Sequence, residues 1–131
     1  MCIRDRIKTA WPDVTGNWYA RPVFPVRDAQ QALAFYTYKL GFSEDWRYEE
    51  EARLRIVQVS RQGCELILSD QWPDEAGGAL LFISLEPAEF NLIKAEWSAR
   101  GVELTSGWWG YDLIVVEDPD RNRLWFPKPD G

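Results

Sequence analysis

Apolar and polar positions alternate along Arg21 to Arg27 (R-P-V-F-P-V-R), and the period then lengthens. Asp28 precedes A-Q-Q-A-L-A-F-Y-T-Y-K-L, in which Leu33, Tyr36 and Leu40 recur at helical spacing. A strand followed by a helix is predicted, with Asp28 as N-cap and Gly41 as the left-handed cap that ends it. Phe42 to Tyr48, Arg53 to Val59 and Cys64 to Ser69 read as three strands joined by polar turns. After Trp72-Pro73-Asp74 and Gly77-Gly78 the pattern starts again. Ala79 to Leu85 is a strand; Pro87 opens a helix marked by Phe90, Ile93, Lys94 and Trp97, and Arg100-Gly101 closes it. Val102 to Thr105, Tyr111 to Glu117 and Arg123 to Pro127 supply three more strands, so the chain reads as an α+β protein of two tandem β-α-β-β-β modules.

The first module spans residues 21–70 and the second 78–128, within one domain over 21–131 that follows an N-terminal arm, 1–20. A length of 131 residues at 46% hydrophobic suits one domain with its own core. No run of about 18 apolar residues and no secretory leader occurs, which predicts a cytoplasmic protein with no membrane partner. The opening M-C-I-R-D-R, residues 1–6, resembles a translated transposon-end adapter of a sequencing library, as in a metagenomic gene call, and carries no weight in the fold.

Charge and chemistry then narrow the function. Fifteen basic and 21 acidic residues give a net charge of −6; without residues 1–6 the balance is 13 − 20 = −7. Such a chain repels phosphate backbones, so no nucleic-acid partner is expected, and it attracts cations over about 8 Å in physiological salt. Histidine is absent, which removes Ser-His-Asp and Cys-His mechanisms and the commonest transition-metal ligand. Cys2 and Cys64 are too few for a disulfide framework and match no zinc spacing, so both read as reduced thiols. A zinc or iron site would have to be assembled from carboxylates and one thiol, which is possible but uncommon, so neither a metal nor a cofactor is expected.

The stretches P-V-R-D-A-Q-Q-A-L-A-F-Y-T-Y-K-L-G-F, A-E-W-S-A-R-G-V and W-G-Y-D-L-I-V-V-E-D-P-D-R-N-R-L-W-F together resemble the vicinal oxygen chelate superfamily, which includes glyoxalases, bleomycin resistance proteins and dioxygenases. The likeness is nearest to bleomycin resistance proteins and runs from about Arg21 to Lys128. It implies curled half-barrel sheets with helices on the outer face, and a homodimer whose crevices bind a small drug between modules. Metal enzymes of the superfamily carry four ligands on the concave face. The matching positions here are Arg21, Ile67, Leu80 and Trp125, none of which binds a metal.

Strand alternation in this register sends Leu124, Phe126, Leu66, Leu68, Leu81, Ile83 and Leu85 to the core. Arg123, Trp125, Pro127, Glu65, Ile67, Ser69, Leu80, Phe82 and Ser84 face the crevice. Of the eight tryptophans, Trp97 reads as core, and Trp11 and Trp18 pack the arm. Trp46 and Tyr48 share one face of the second strand, and Trp108 and Trp109 lie in the loop entering the seventh. With Phe82 and Trp125 they form a candidate aromatic lining, suited to planar heterocycles and to cations. Glu65 is the candidate partner of a cationic ligand group, or else forms an internal ion pair with Arg21 or Arg123. Asp118, Asp120 and Asn122 shape a turn. The expected function is metal-free sequestration of a bleomycin-like antibiotic. The alternatives are a metal-dependent lyase, thiol transferase or dioxygenase, and a small-molecule binding or dimerisation module unrelated to resistance.

Overall fold

Local chemistry sets the first helix much as its sequence predicts. The Asp28 carboxylate accepts from the backbone N–H groups of Gln30 (2.9 Å) and Gln31 (3.2 Å), capping α1 (Ala29–Ala34). The helix widens into a π-type turn over Phe35–Lys39, and Gly41, at φ +76°, turns the chain out of it. The computed structural model describes residues 18–129. Most of the expected arm, with Trp11, lies outside them, and Trp18 is exposed.

Two four-stranded mixed sheets follow. In the first, β1 (Val23–Pro25), β2 (Ser43–Glu50), β3 (Arg53–Arg61) and β4 (Cys64–Ser69) take the order β1-β4-β3-β2. In the second, β5 (Leu80–Phe82), β6 (Thr105–Trp108), β7 (Asp112–Glu117) and β8 (Arg123–Pro127) take the matching order β5-β8-β7-β6. The outer pairs β1/β4 and β5/β8 are parallel and the others antiparallel. The second helix, α2 (Pro87–Ala99), crosses between β5 and β6.

Only β4 and β8 keep their predicted bounds, and the fifth and sixth strands depart from theirs for local reasons. The sixth begins at Thr105 because the residues before it serve the end of α2: Gly101 is left-handed at φ +77°, and the Val102 N–H reaches back to the Trp97 carbonyl at 2.9 Å. The fifth is short because pairing beyond Ile83, whose N–H meets the Trp125 carbonyl at 2.8 Å, gives way to the approach to Pro87.

One core joins both halves. It gathers Val57, Val59, Leu66 and Leu68 from the first sheet, Ile114, Val116, Leu124 and Phe126 from the second, and Leu33, Tyr36, Phe90, Ile93 and Trp97 from the helices. The Trp97 ring meets Phe126 at 5.3 Å and its indole donates to the Leu40 carbonyl at 3.2 Å. Arg61 on β3 forks onto both Glu96 carboxylate oxygens on α2, at 2.7 and 2.9 Å.

The D-P-D-R-N turn is a junction between the halves. Buried Asp118 accepts from the backbone N–H groups of Asp120 and Asn122 and from the Tyr36 hydroxyl on α1, at 2.8, 2.9 and 3.0 Å. Asn122, fully buried, donates to the Pro25 carbonyl at 3.0 Å and accepts from the Gly77 and Ala79 N–H groups at 3.2 and 3.1 Å. Asp120 pairs with Arg27 at 3.0 Å. Burial holds the Asp118 carboxyl above its usual range and pushes the Tyr36 phenol well up.

Candidate functional site

Since both sheets turn one face to the shared core, their other faces look away from it. Each carries part of the candidate site, and the two parts differ in chemistry.

The outer face of the second sheet is aromatic. Phe82 on β5 pairs in register with Trp125 on β8, which pairs with Val115 on β7. Trp109 packs on Phe82 and on Trp125, both at 5.5 Å between ring centroids, while Tyr111 lies 6.1 Å from Phe82 and 6.4 Å from Trp109. The Arg123 guanidinium sits 5.8 Å over the Trp125 ring. Trp125 is half-buried, while Phe82, Trp109, Tyr111 and Leu80 are exposed. Trp109 and Tyr111 flank Gly110, whose φ of +77° closes the β6–β7 turn.

Trp108 stands apart from this group. It ends β6 opposite Asp112, two residues beyond Ser106, which pairs with core-facing Ile114. That register puts Trp108 on the core-side face, 72% exposed and outside the aromatic cluster. Tyr111 belongs to the cluster although the sequence reading passed over it. It precedes Leu113 and Val115 by two and four residues, and the same parity would have found it.

The outer face of the first sheet is polar at its centre. Gln58 on β3, 1% exposed, accepts from Arg21 Nη1 at 2.6 Å and donates to Asp45 at 2.9 Å and to Glu65 at 3.4 Å. The Ser60 hydroxyl also donates to Asp45, at 2.9 Å, and the Tyr19 hydroxyl donates to Glu65. Glu65 therefore faces outward, bonded through Tyr19 and Gln58, while Arg21 lies 4.9 Å from the Tyr19 ring. Asp45 reaches this face through a β-bulge between Glu44 and Trp46, which sequence alternation does not reveal.

Trp46 and Tyr48 share a face, as expected, opposite Gln58 and Ile56. Trp46, however, is only 4% exposed while remaining outside the common core, so it is a sealed residue and not an open lining. Tyr48 donates to Glu50 at 3.0 Å, which raises its phenol pKa. A cavity of about 280 Å³ lies elsewhere, on the core side between Phe42, Cys64, Ile83, Leu85, Ile93 and Trp97. Burial raises the Cys64 thiol there, and none of the seven candidate residues lines it.

The four positions where the superfamily's enzymes hold a metal do not fit one. Arg21 is bonded to Gln58, and Ile67, Leu80 and Trp125 offer no ligand atom of the required kind. Among the described residues no three Cys, Asp or Glu side chains are grouped to hold a metal ion. Among the same residues, no helix is long and apolar enough to cross a membrane.

The family described as "glyoxalase superfamily protein" matches residues 13–130. No curated protein matches by sequence. Among solved structures, an antibiotic binding protein, TnmS3, from Streptomyces sp. CB03234 superposes with TM-score 0.68 at 21% identity, covering 89% of this chain and 100% of that one. The bleomycin-binding protein of Streptomyces verticillus, solved with copper(II)-bleomycin, gives 0.66 at 20% identity over 89% and 100%. A glyoxalase/bleomycin resistance protein from Catenulispora acidiphila gives 0.70 at 22% over 87% and 100%. At these identities the likeness is one of fold.

Proposed function

The chain belongs to the glyoxalase superfamily, and from that premise we propose that it is a metal-free binding protein that sequesters a planar, cationic, bleomycin-like antibiotic in a crevice completed by a second copy. The observation that carries this reading is the aromatic face built from Phe82, Trp109, Tyr111 and Trp125. An apolar surface of this kind on a chain of net charge −6 is unusual unless something covers it. Stacking on these rings adds about 0.5 to 1.5 kcal/mol per ring pair beyond area burial. The polar face around Asp45, Gln58 and Glu65, presented by the partner copy, supplies carboxylates for the ligand's cationic groups, and the acidic surface steers such a ligand inward. Arg21, Ile67, Leu80 and Trp125 at the inherited metal positions argue against the superfamily's metal-dependent chemistry.

Titrating bleomycin into the protein and following tryptophan fluorescence tests the proposal. Saturable quenching is expected, lost when Trp109 and Trp125 are both replaced by alanine. An unchanged signal through the submillimolar range refutes it.

A further inference from the structure

Among the described residues, two buried side-chain polar atoms have no hydrogen-bond partner: Trp46 Nε1 and Trp125 Nε1. Both belong to residues on the outer faces of the sheets, Trp46 opposite Gln58 and Trp125 opposite Phe82 and Val115. The contrast with Trp97 is direct, since that core indole donates to the Leu40 carbonyl at 3.2 Å. Buried donors are paired in the great majority of native structures, and an orphan carries the full cost of its lost hydration.

We propose that the Trp125 indole N–H is a donor held for an acceptor atom of the ligand, on the aromatic wall of the crevice. The site would then select planar molecules bearing carbonyl, ether or heteroaromatic nitrogen acceptors over hydrocarbons of the same shape. This inference rests on the binding reading above and adds the ligand's chemistry to it. The Trp125 donor can be reached, whereas Trp46 is sealed at 4% exposure. The ring packed on Trp125 is that of Trp109, which is 56% exposed. Trp109 sits beside Gly110, around which there is open space. Swinging Trp109 aside uncovers the Trp125 indole edge, and a ligand stacking in its place meets ring and donor together. A hydrocarbon in that position leaves the N–H as unsatisfied as before, so the acceptor is what separates the two ligands.

The test uses the full chain labelled with nitrogen-15 and the indole region of its proton–nitrogen spectrum. Trp46→Phe and Trp125→Phe assign the two resonances, and Trp97 serves as the reference for an indole already bonded. The probes are 1-indanone and indane, which differ by one carbonyl oxygen. The expected result is that 1-indanone moves the Trp125 resonance downfield and slows its exchange with solvent. Indane should bind about tenfold more weakly, as expected for one hydrogen bond, without the downfield shift. Trp125→Phe should abolish the preference. Equal binding of the two probes, or no response to either, overturns the inference. So does a Trp125 resonance that matches Trp97 in shift and protection before any probe is added. If bleomycin quenches fluorescence while the Trp125 resonance stays fixed, this inference fails and the binding reading stands. If 1-indanone gives the expected response and bleomycin does not bind, the inference stands and only the bleomycin-like assignment falls.

Discussion

Replacing Trp125 by alanine separates a wall residue from a core residue, because its neighbour Phe126 is the natural control. Phe126 is buried in the common core against Trp97, and Phe126→Ala should cost about 3 to 5 kcal/mol through lost transfer energy and an unfilled cavity. Trp125 is half-buried on the outer face, with ring contacts to Trp109 and Arg123. Losing those contacts and the buried part of the ring costs about 2 to 3 kcal/mol, and removing an unpaired buried N–H returns about 1 kcal/mol. The net loss should therefore be about 1 to 2 kcal/mol. For 131 residues an unfolding entropy of about 2.1 cal/mol/K per residue converts 1 kcal/mol into about 4 °C of Tm. Trp125→Ala should melt about 4 to 7 °C below the parent and Phe126→Ala about 11 to 18 °C below it, by circular dichroism. Bleomycin affinity should fall by about five- to a hundredfold in Trp125→Ala. Equal melting losses for the two variants would refute the assignment of faces, and a stable Trp125→Ala with unchanged affinity would refute the proposed site.

Asn122→Ala strips partners from the Pro25 carbonyl, the Asp118 carboxylate and the Gly77 and Ala79 N–H groups, so chemical denaturation should show a loss of about 2 to 4 kcal/mol; a loss below about 1 kcal/mol would mean the turn does not join the halves. The Arg61 guanidinium, bonded to Glu96, holds that carboxyl below its usual range. Its stabilising contribution is present above the unfolded value of about 4.3 and is lost as pH falls through the lower folded value. Glu96→Gln should therefore melt below the parent at neutral pH, with the gap closing in acid; a gap constant across the acid range would count against the ion pair. Light scattering should give about twice 15.3 kDa, and a monomer at micromolar concentration would remove the two-copy crevice.

Much of this arrangement is written in period-two alternation. Cys64–Ser69 and Arg123–Pro127 form strands with the predicted bounds, and the burial of Leu66, Leu68, Leu124 and Phe126 follows the predicted parity. Asp28 and Gly41 cap the first helix because their chemistry acts within a few residues. What escaped the sequence reading depends on non-local geometry. The bulge that brings Asp45 to Gln58 and Ser60 breaks alternation without a marker residue. Trp46 looked like open lining, yet burial depends on what lies over a face, which alternation does not report. Trp108 and Trp109 are adjacent and looked equivalent, but once β6 extends to Trp108 they fall on opposite sides of the chain. The D-P-D-R-N segment reads as a turn from its residues alone; that it bonds Tyr36 and Pro25, 82 and 97 residues away, appears only in three dimensions.

The placement of the aromatic and acidic faces on different sheets also governs how defects would combine. In the proposed pair, a chain with its aromatic wall on one sheet and its acidic wall on the other would contribute one wall to each of two crevices. In a homodimer every lesion is thus present in both crevices. In a mixed dimer of a chain damaged at Trp109 and Trp125 with one damaged at Asp45 and Glu65, both lesions fall in one crevice, and the other is wholly intact. Two inactive alleles pairing at random would then restore about a quarter of the binding capacity at full affinity, since half of the dimers are mixed and each holds one intact crevice, a pattern of intragenic complementation that a site confined to one chain does not produce.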